Sequence, residues 1–204
     1  RARVASEGFG ARLLALQDDD GQWYLFYSCN FPFESDGLHA GTGIAVDRLI
    51  NMTRLAGECQ VVLRAAHDWT LYESNRWMAV YDTNFNWHTV EGPCVVKQDK
   101  DIYCFYSGAN WQTPRYGVDY VVAPTPLGPY SGAGNSARVL QGIPNLVRGP
   151  GHNSIVTGPD GKTQYVIYHA WDQQMKRRQM CLDRLEWTAA GPRCTPTVTP
   201  QPAP

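Results

Sequence analysis

An all-β fold built from repeated, stacked sheets is predicted for this chain, and three observations carry the prediction. Aromatic residues make up 12% of the sequence, with 7 Trp and 11 Tyr beside 19 Gly and 14 Pro, a mixture that suits short strands joined by tight turns. One strand–turn–strand phrase occurs three times. Its spacing is that of separate, stacked sheets rather than of one continuous sheet.

The repeated phrase sets out the elements in order. Asp18-Asp19-Asp20-Gly21 leads into Trp23-Tyr24-Leu25-Phe26-Tyr27-Ser28. Asp99-Lys100-Asp101 leads into Ile102-Tyr103-Cys104-Phe105-Tyr106-Ser107, and Pro159-Asp160-Gly161 into Gln164-Tyr165-Val166-Ile167-Tyr168-His169. Each is a turn of acidic residues or glycine feeding a strand rich in aromatic and β-branched side chains. A short apolar strand precedes each turn: Leu13 to Leu16, Cys94 to Val96, and Asn153 to Val156. Another comes after each phrase: Gly43 to Leu49, Tyr116 to Val122, and Met180 to Leu185, the first and third closing on Asp-Arg-Leu.

The equivalent tyrosines Tyr24, Tyr103 and Tyr165 stand 79 and 62 residues apart. A small sheet recurring at this interval cannot bury its own faces and stacks on its neighbours, which is the construction of a β-propeller. A two-sheet sandwich is the alternative that the same strands allow. At about 45–60 residues per blade, the chain supplies about three and a half to four and a half blades. The long polar and aromatic stretches 30–40 and 65–88 are expected as recognition loops. Residues 195–204, rich in Pro and Thr, are expected as an extended tail.

Composition also excludes function classes. The formal net charge is -1, and the longest basic run is Lys176-Arg177-Arg178, so nothing draws nucleic acid or an anionic membrane by bulk charge. No apolar run approaches the ~20 residues of a membrane span. The six cysteines show no CxxC and no zinc-site spacing. Cys94 and Cys104 flank one hairpin and lie close to it, as Cys181 and Cys194 do another, and a bonded pair at either place would suit a secreted protein.

Aligning the units on their tyrosines locates the chemistry. Glu91 lies 12 residues before Tyr103, Arg12 lies 12 before Tyr24, and His152 lies 13 before Tyr165. All three fall at the start of a first strand, the strand that lines a propeller axis. Glu91, in Trp87-His88-Thr89-Val90-Glu91-Gly92-Pro93, has the setting of a general acid, since burial near aromatic walls favours the protonated carboxyl. A surface glutamate at a strand start is the competing reading. His152 reads either as a metal ligand or as a hydrogen-bonded histidine of an inner strand. Trp87, His88, Trp111, Tyr116 and Trp171 could form sugar-stacking walls or core packing, and Arg178 a sugar contact or a solvated charge.

These phrases together resemble glycoside hydrolase family 43. The resemblance rests on residues 18–27, Thr-Val-Glu-Gly-Pro at 89–93, Tyr-Cys-Phe-Tyr-Ser-Gly at 103–108, Gly-Pro-Gly-His-Asn-Ser at 149–154 and Tyr-His-Ala-Trp-Asp at 168–172. It implies a five-bladed propeller, here an incomplete set of about three to four blades spanning 18–194. It further implies inverting hydrolysis of arabinose- or xylose-containing oligosaccharides or polysaccharides by a secreted enzyme. Glu91 matches the family's general acid. His152 matches an axial histidine that holds calcium largely through its water shell, and Arg178 an arginine that reaches the sugar; Trp87, His88, Trp111, Tyr116 and Trp171 are the remaining expected substrate contacts.

Two departures qualify the expected activity. The first blade, which brings the base Asp, is not among these residues, and Arg12 stands where an Asp that tunes the acid is expected. Residues 1–17 differ in composition from the remainder of the chain and are expected to be a frame-shifted or mis-started stretch, with the signal peptide lying outside the chain. The chain alone is therefore expected to lack normal glycosidase activity; the alternative is a carbohydrate-binding propeller without catalysis.

Overall fold

A computed structural model describes residues 13–35 and 37–200, which form three sheets in chain order. In the first, β1 (Leu13–Gln17), β2 (Trp23–Phe31) and β3 (Gly41–Asn51) make an antiparallel meander, and short β4 (Arg54–Leu55) and β5 (Gln60–Leu63) pair on the outside of β3. A hairpin of β6 (Leu71–Met78) and β7 (Thr83–His88) follows a single 3-10 turn at Asp68–Thr70. The second sheet is β8 (Val90–Gln98), β9 (Asp101–Gly108) and β10 (Gly117–Ala123). The third is β11 (Arg148–Thr157), β12 (Gln164–Trp171), β13 (Arg178–Thr188) and β14 (Gly191–Cys194).

The middle sheet decides between sandwich and propeller. Successive side chains of β9 point to opposite faces: Ile102, Cys104 and Tyr106 enter a core shared with Phe26, Ile44 and Val46 of the first sheet. Phe105 enters a second core with Tyr168, Val166 and Leu185 of the third. A sheet buried on both faces by flanking sheets belongs to a stack. The first strands meet along one line, β8 touching β1 on one side and β11 on the other. This is propeller geometry. Residues 13–17, set apart by composition, pair with β2 as the inner strand of the first sheet. Arg12 lies outside the described residues.

Each third strand carries one buried aspartate, Asp47, Asp119 or Asp183, and each fastens the chain that leaves its sheet. Asp47 accepts from the amides of Gly57 and Glu58. Asp119 accepts from the Tyr106 hydroxyl, the Gly134 amide and Arg138. Asp183 accepts from the Tyr168 hydroxyl and from the amide and hydroxyl of Thr197. A buried carboxylate survives only with such partners. The tail is thus docked through Thr197 rather than free. The first unit differs from the other two: Tyr27, counterpart of Tyr106 and Tyr168, directs its hydroxyl at Cys59 Sγ, 3.1 Å away.

Two further expectations are corrected. Residues 71–88 are a hairpin, not an irregular loop, because Arg76, Trp77 and Met78 find strand partners in Phe85, Asn84 and Thr83. Neither anticipated cysteine pair forms a disulfide. Cys94 faces the second core and Cys104 the first, on opposite sides of one sheet. Cys194 sits opposite Leu185, four residues along β13 from Cys181, roughly 13 Å at strand rise, beyond disulfide reach.

The hairpin's position matters for the site. His88, the last residue of β7, pairs in parallel with Gly41, the first of β3. Parallel pairing at that one position places the rest of β7 beyond the start of β3. The hairpin therefore stands above the end of the sheets at which β8 begins.

Candidate active site

The meander brings the start of each first strand, the end of each second and the start of each third to the same end of the sheets. Glu91 lies at the start of β8 opposite Ser107 of β9. Between Glu91 and Cys94 the ladder is bulged, and Gly92 there has φ +63°, left-handed backbone that a Cβ disfavours. A Cβ at Gly92 would also lie 3.3 Å from the His152 ring. The Glu-Gly-Pro phrase is thus a bulge that turns the carboxyl inward and leaves room for His152.

Glu91 is held by Tyr116, whose hydroxyl donates to Oε1 at 2.8 Å. Burial raises the carboxyl above the usual range, while the Tyr116 bond pulls the other way. Tyr116 itself is buried, and burial pushes its phenol far up, so it is a donor at any working pH. Its ring lies against Gly151, where a Cβ would stand 2.2 Å from Cε1, and stacks on His169 at 5.6 Å between centroids and 9° between planes. His169 has its affinity for protons lowered to about 4 by burial, then by Arg178 and His152, so it is neutral at pH 7.

A second cluster joins the β9–β10 loop, which carries Trp111, to the neighbouring third sheet. Trp111 and Trp171 stack at 5.8 Å and 10°, and the Trp171 indole donates to the Trp111 carbonyl at 2.7 Å. Arg178, opposite Trp171 in the β12–β13 register, places its guanidinium 4.6 Å from the Trp111 ring centroid and 5.9 Å from that of Trp171. Cation–π contact restrains an exposed arginine and leaves its N–H groups free for hydroxyls.

Not every expected wall residue is placed as one. Trp87 is buried among Tyr81 and Phe85 within the hairpin, and His88 is buried against His39 at 4.0 Å and 6°. Neither presents a ring face to a ligand. Tyr116 touches the acid rather than open space. Ser107 was missed by sequence reasoning, although it stands four residues after the aligned Tyr103, as His169 does after Tyr165 and Ser28 after Tyr24.

The metal question can be tested on donors. Around His152 the described residues form no group of three His, Cys, Asp or Glu ligands; such a group exists only at His39, Asp68 and His88. Calcium takes six to eight oxygens, and an imidazole offers none, so these residues do not make a calcium site by themselves. At the other cluster the Thr70 hydroxyl donates to the His67 carbonyl, so His88 Nδ1–H donates to Thr70 Oγ1 at 3.0 Å and His88 Nε2 is bare. Yet rings stacked 6° from parallel hold their lone pairs in planes that do not converge on one ion.

The family model of glycosyl hydrolases family 43 matches residues 13–192, the whole of the three sheets up to β14. The chain belongs to glycosyl hydrolase family 43. A thermostable family-43 glycoside hydrolase of known structure is 28% identical at TM-score 0.77, covering 94% of this chain and 60% of that one. An α-L-arabinofuranosidase of Lactobacillus brevis shares the fold at 19% identity and TM-score 0.67, covering 95% of this chain and 56% of that one. A β-D-galactofuranosidase of Aspergillus niger is 37% identical over 105 residues, 50% of this chain and 30% of the relative. The family-43 chain described here spans less than two thirds of the length of each. Within this family, its three sheets are an incomplete set of propeller blades.

Proposed function

We propose that Glu91 is the proton donor of an inverting glycosidase acting on arabinose- or xylose-containing oligosaccharides or polysaccharides. The observation that carries this reading is the half-buried Glu91 carboxyl, raised by desolvation and fixed by Tyr116 at the end of the sheets where Arg178 lies over the Trp111 ring beside Trp171. A carboxyl whose protonated form is favoured by burial can give its proton to a leaving oxygen. Inversion also needs a carboxylate about 6.5–9.5 Å from the acid, with a water between. Asp68 and Asp172, at the same end, are tied to His39 and to the Lys176 amide. No base is assigned within this chain, and the 204 residues alone are expected to turn over no substrate.

The test uses nitrophenyl α-L-arabinofuranoside and β-D-xyloside, with the β-D-galactofuranoside added because the Aspergillus niger relative bears that name. No release above background is expected from the purified chain. Release that Glu91→Gln abolishes would overturn the inactivity while supporting the role of Glu91. A second reading, sugar binding without hydrolysis, is favoured by the Trp111–Arg178–Trp171 cluster. Calorimetry with arabino- and xylo-oligosaccharides separates it, since binding lost in Arg178→Ala with no turnover in any longer form of the protein would support it.

A further inference from the structure

The polar groups behind Glu91 run in one direction. The His152 amide can only donate, and it gives its hydrogen to Ser107 Oγ at 2.8 Å. Ser107 is fully buried and must place its own hydroxyl hydrogen elsewhere. That hydroxyl lies near enough to the Tyr116 oxygen to favour the ionised phenol, as a donor does. Tyr116 has one hydrogen, and that goes to Glu91 Oε1. The chain therefore reads amide, serine, tyrosine, carboxyl, each group giving its hydrogen toward the acid.

We infer that Tyr116 is a positioning residue that selects the oxygen of Glu91 from which the proton leaves. Oε1 is occupied as an acceptor, so the transferable proton resides on Oε2. A carboxyl without such a partner has two equivalent oxygens and rotates between them. Here rotation is opposed by a phenol that cannot itself move: its ring lies against Gly151 on one side and His169 on another. The relay begins in backbone of fixed conformation, since His152 has φ +55°, an uncommon value for a side-chain-bearing residue. Gly151 and His152 thus serve the acid from a different sheet, through Tyr116 and Ser107.

The inference rests on Glu91 being the proton donor, but its test reads the carboxyl directly and needs no turnover. Carbon-13 carboxyl resonances of labelled glutamate are followed against pH in the 204-residue chain, with Glu91→Gln assigning the signal. Tyr116→Phe removes a donor that favours the carboxylate, so the Glu91 midpoint should move up. Ser107→Ala should move it the same way by less, because Tyr116 loses the bond that strengthens its own. A folded Tyr116→Phe with an unchanged or lowered midpoint would sink the inference. If that variant does not fold, as judged by its melting curve, Ser107→Ala decides by the same criterion. Hydrolysis by a longer form that survives Glu91→Gln would remove the donor role and leave the titration result standing.

Discussion

Replacing Asp119 by alanine should be among the most damaging single changes in the chain. Asp119 is completely buried and accepts from Tyr106 at 2.8 Å, the Gly134 amide at 2.7 Å and Arg138 Nε at 2.5 Å. Deleting it strands one buried hydroxyl, one amide and a guanidinium that also bonds the carbonyls of Tyr120 and Gly132. Removing one member of a buried ionic pair costs about 3–5 kcal/mol. For a domain of this size each kcal/mol lowers the melting temperature by about 2–4 °C, so a drop of roughly 6–20 °C is expected. Tyr27→Phe is the internal control, because its hydroxyl meets only a thiol and should cost about 1 kcal/mol or less. Urea unfolding and thermal melting of both variants measure the difference. An Asp119→Ala protein within about 1 kcal/mol of the parent would refute the reasoning that these aspartates fasten the sheets.

Three further outcomes are expected from the same geometry. His88 is pushed down to about 4 by burial, then by His39, so the unfolded chain binds a proton the folded one refuses. Its contribution of about 3 kcal/mol is complete above pH 6.5 and is lost as pH falls towards 4. His88→Gln should flatten that slope in melting curves taken between those values, and an unchanged slope would count against the assignment. Gly92→Ala places a Cβ at φ +63° and 3.3 Å from the His152 ring and should cost about 1–2 kcal/mol; stability equal to the parent would mean the bulge relaxes freely. Arg178→Lys keeps the charge but loses the guanidinium held over the Trp111 ring, so tryptophan emission should change and any oligosaccharide affinity should fall; unchanged emission would contradict that contact.

Much of the fold was legible because its signals are local. Acidic turns and alternating aromatic strands recur in register, and aligning Tyr24, Tyr103 and Tyr165 put Glu91 at a strand start, where the structure has it, whereas His152 lies mid-strand in β11 (Arg148–Thr157). The parts that stayed hidden depend on partners far away in sequence. Trp87 stands four residues before the acid and reads as its wall, but Tyr81 and Phe85 claim its faces. Tyr116 reads as an open sugar platform; Gly151, 35 residues on, supplies the flat surface that buries it. The hairpin at 71–88 escaped notice because its pairing is interrupted by bulges, which erase the alternation expected of a strand. The cysteine pairs failed because closeness along a hairpin fixes neither face nor register: Cys94 and Cys104 take opposite faces, and Cys181 and Cys194 share one but stand four residues out of register.

The junction between the hairpin and β8 has a consequence for how such a protein can change. Three successive amides are tied down there, His88 to the Ala40 carbonyl, Thr89 to the Thr70 carbonyl and Val90 to the Thr42 hydroxyl. Gly41 leaves no space even for a methyl group against the His88 carbonyl, 2.1 Å from where its Cβ would stand. Whatever happens in the hairpin above is stopped at this collar before it reaches the acid. The tip at 79–82 can therefore be lengthened, shortened or exchanged as an interchangeable fitting, altering what the mouth of the site meets while the proton donor stays in its mount.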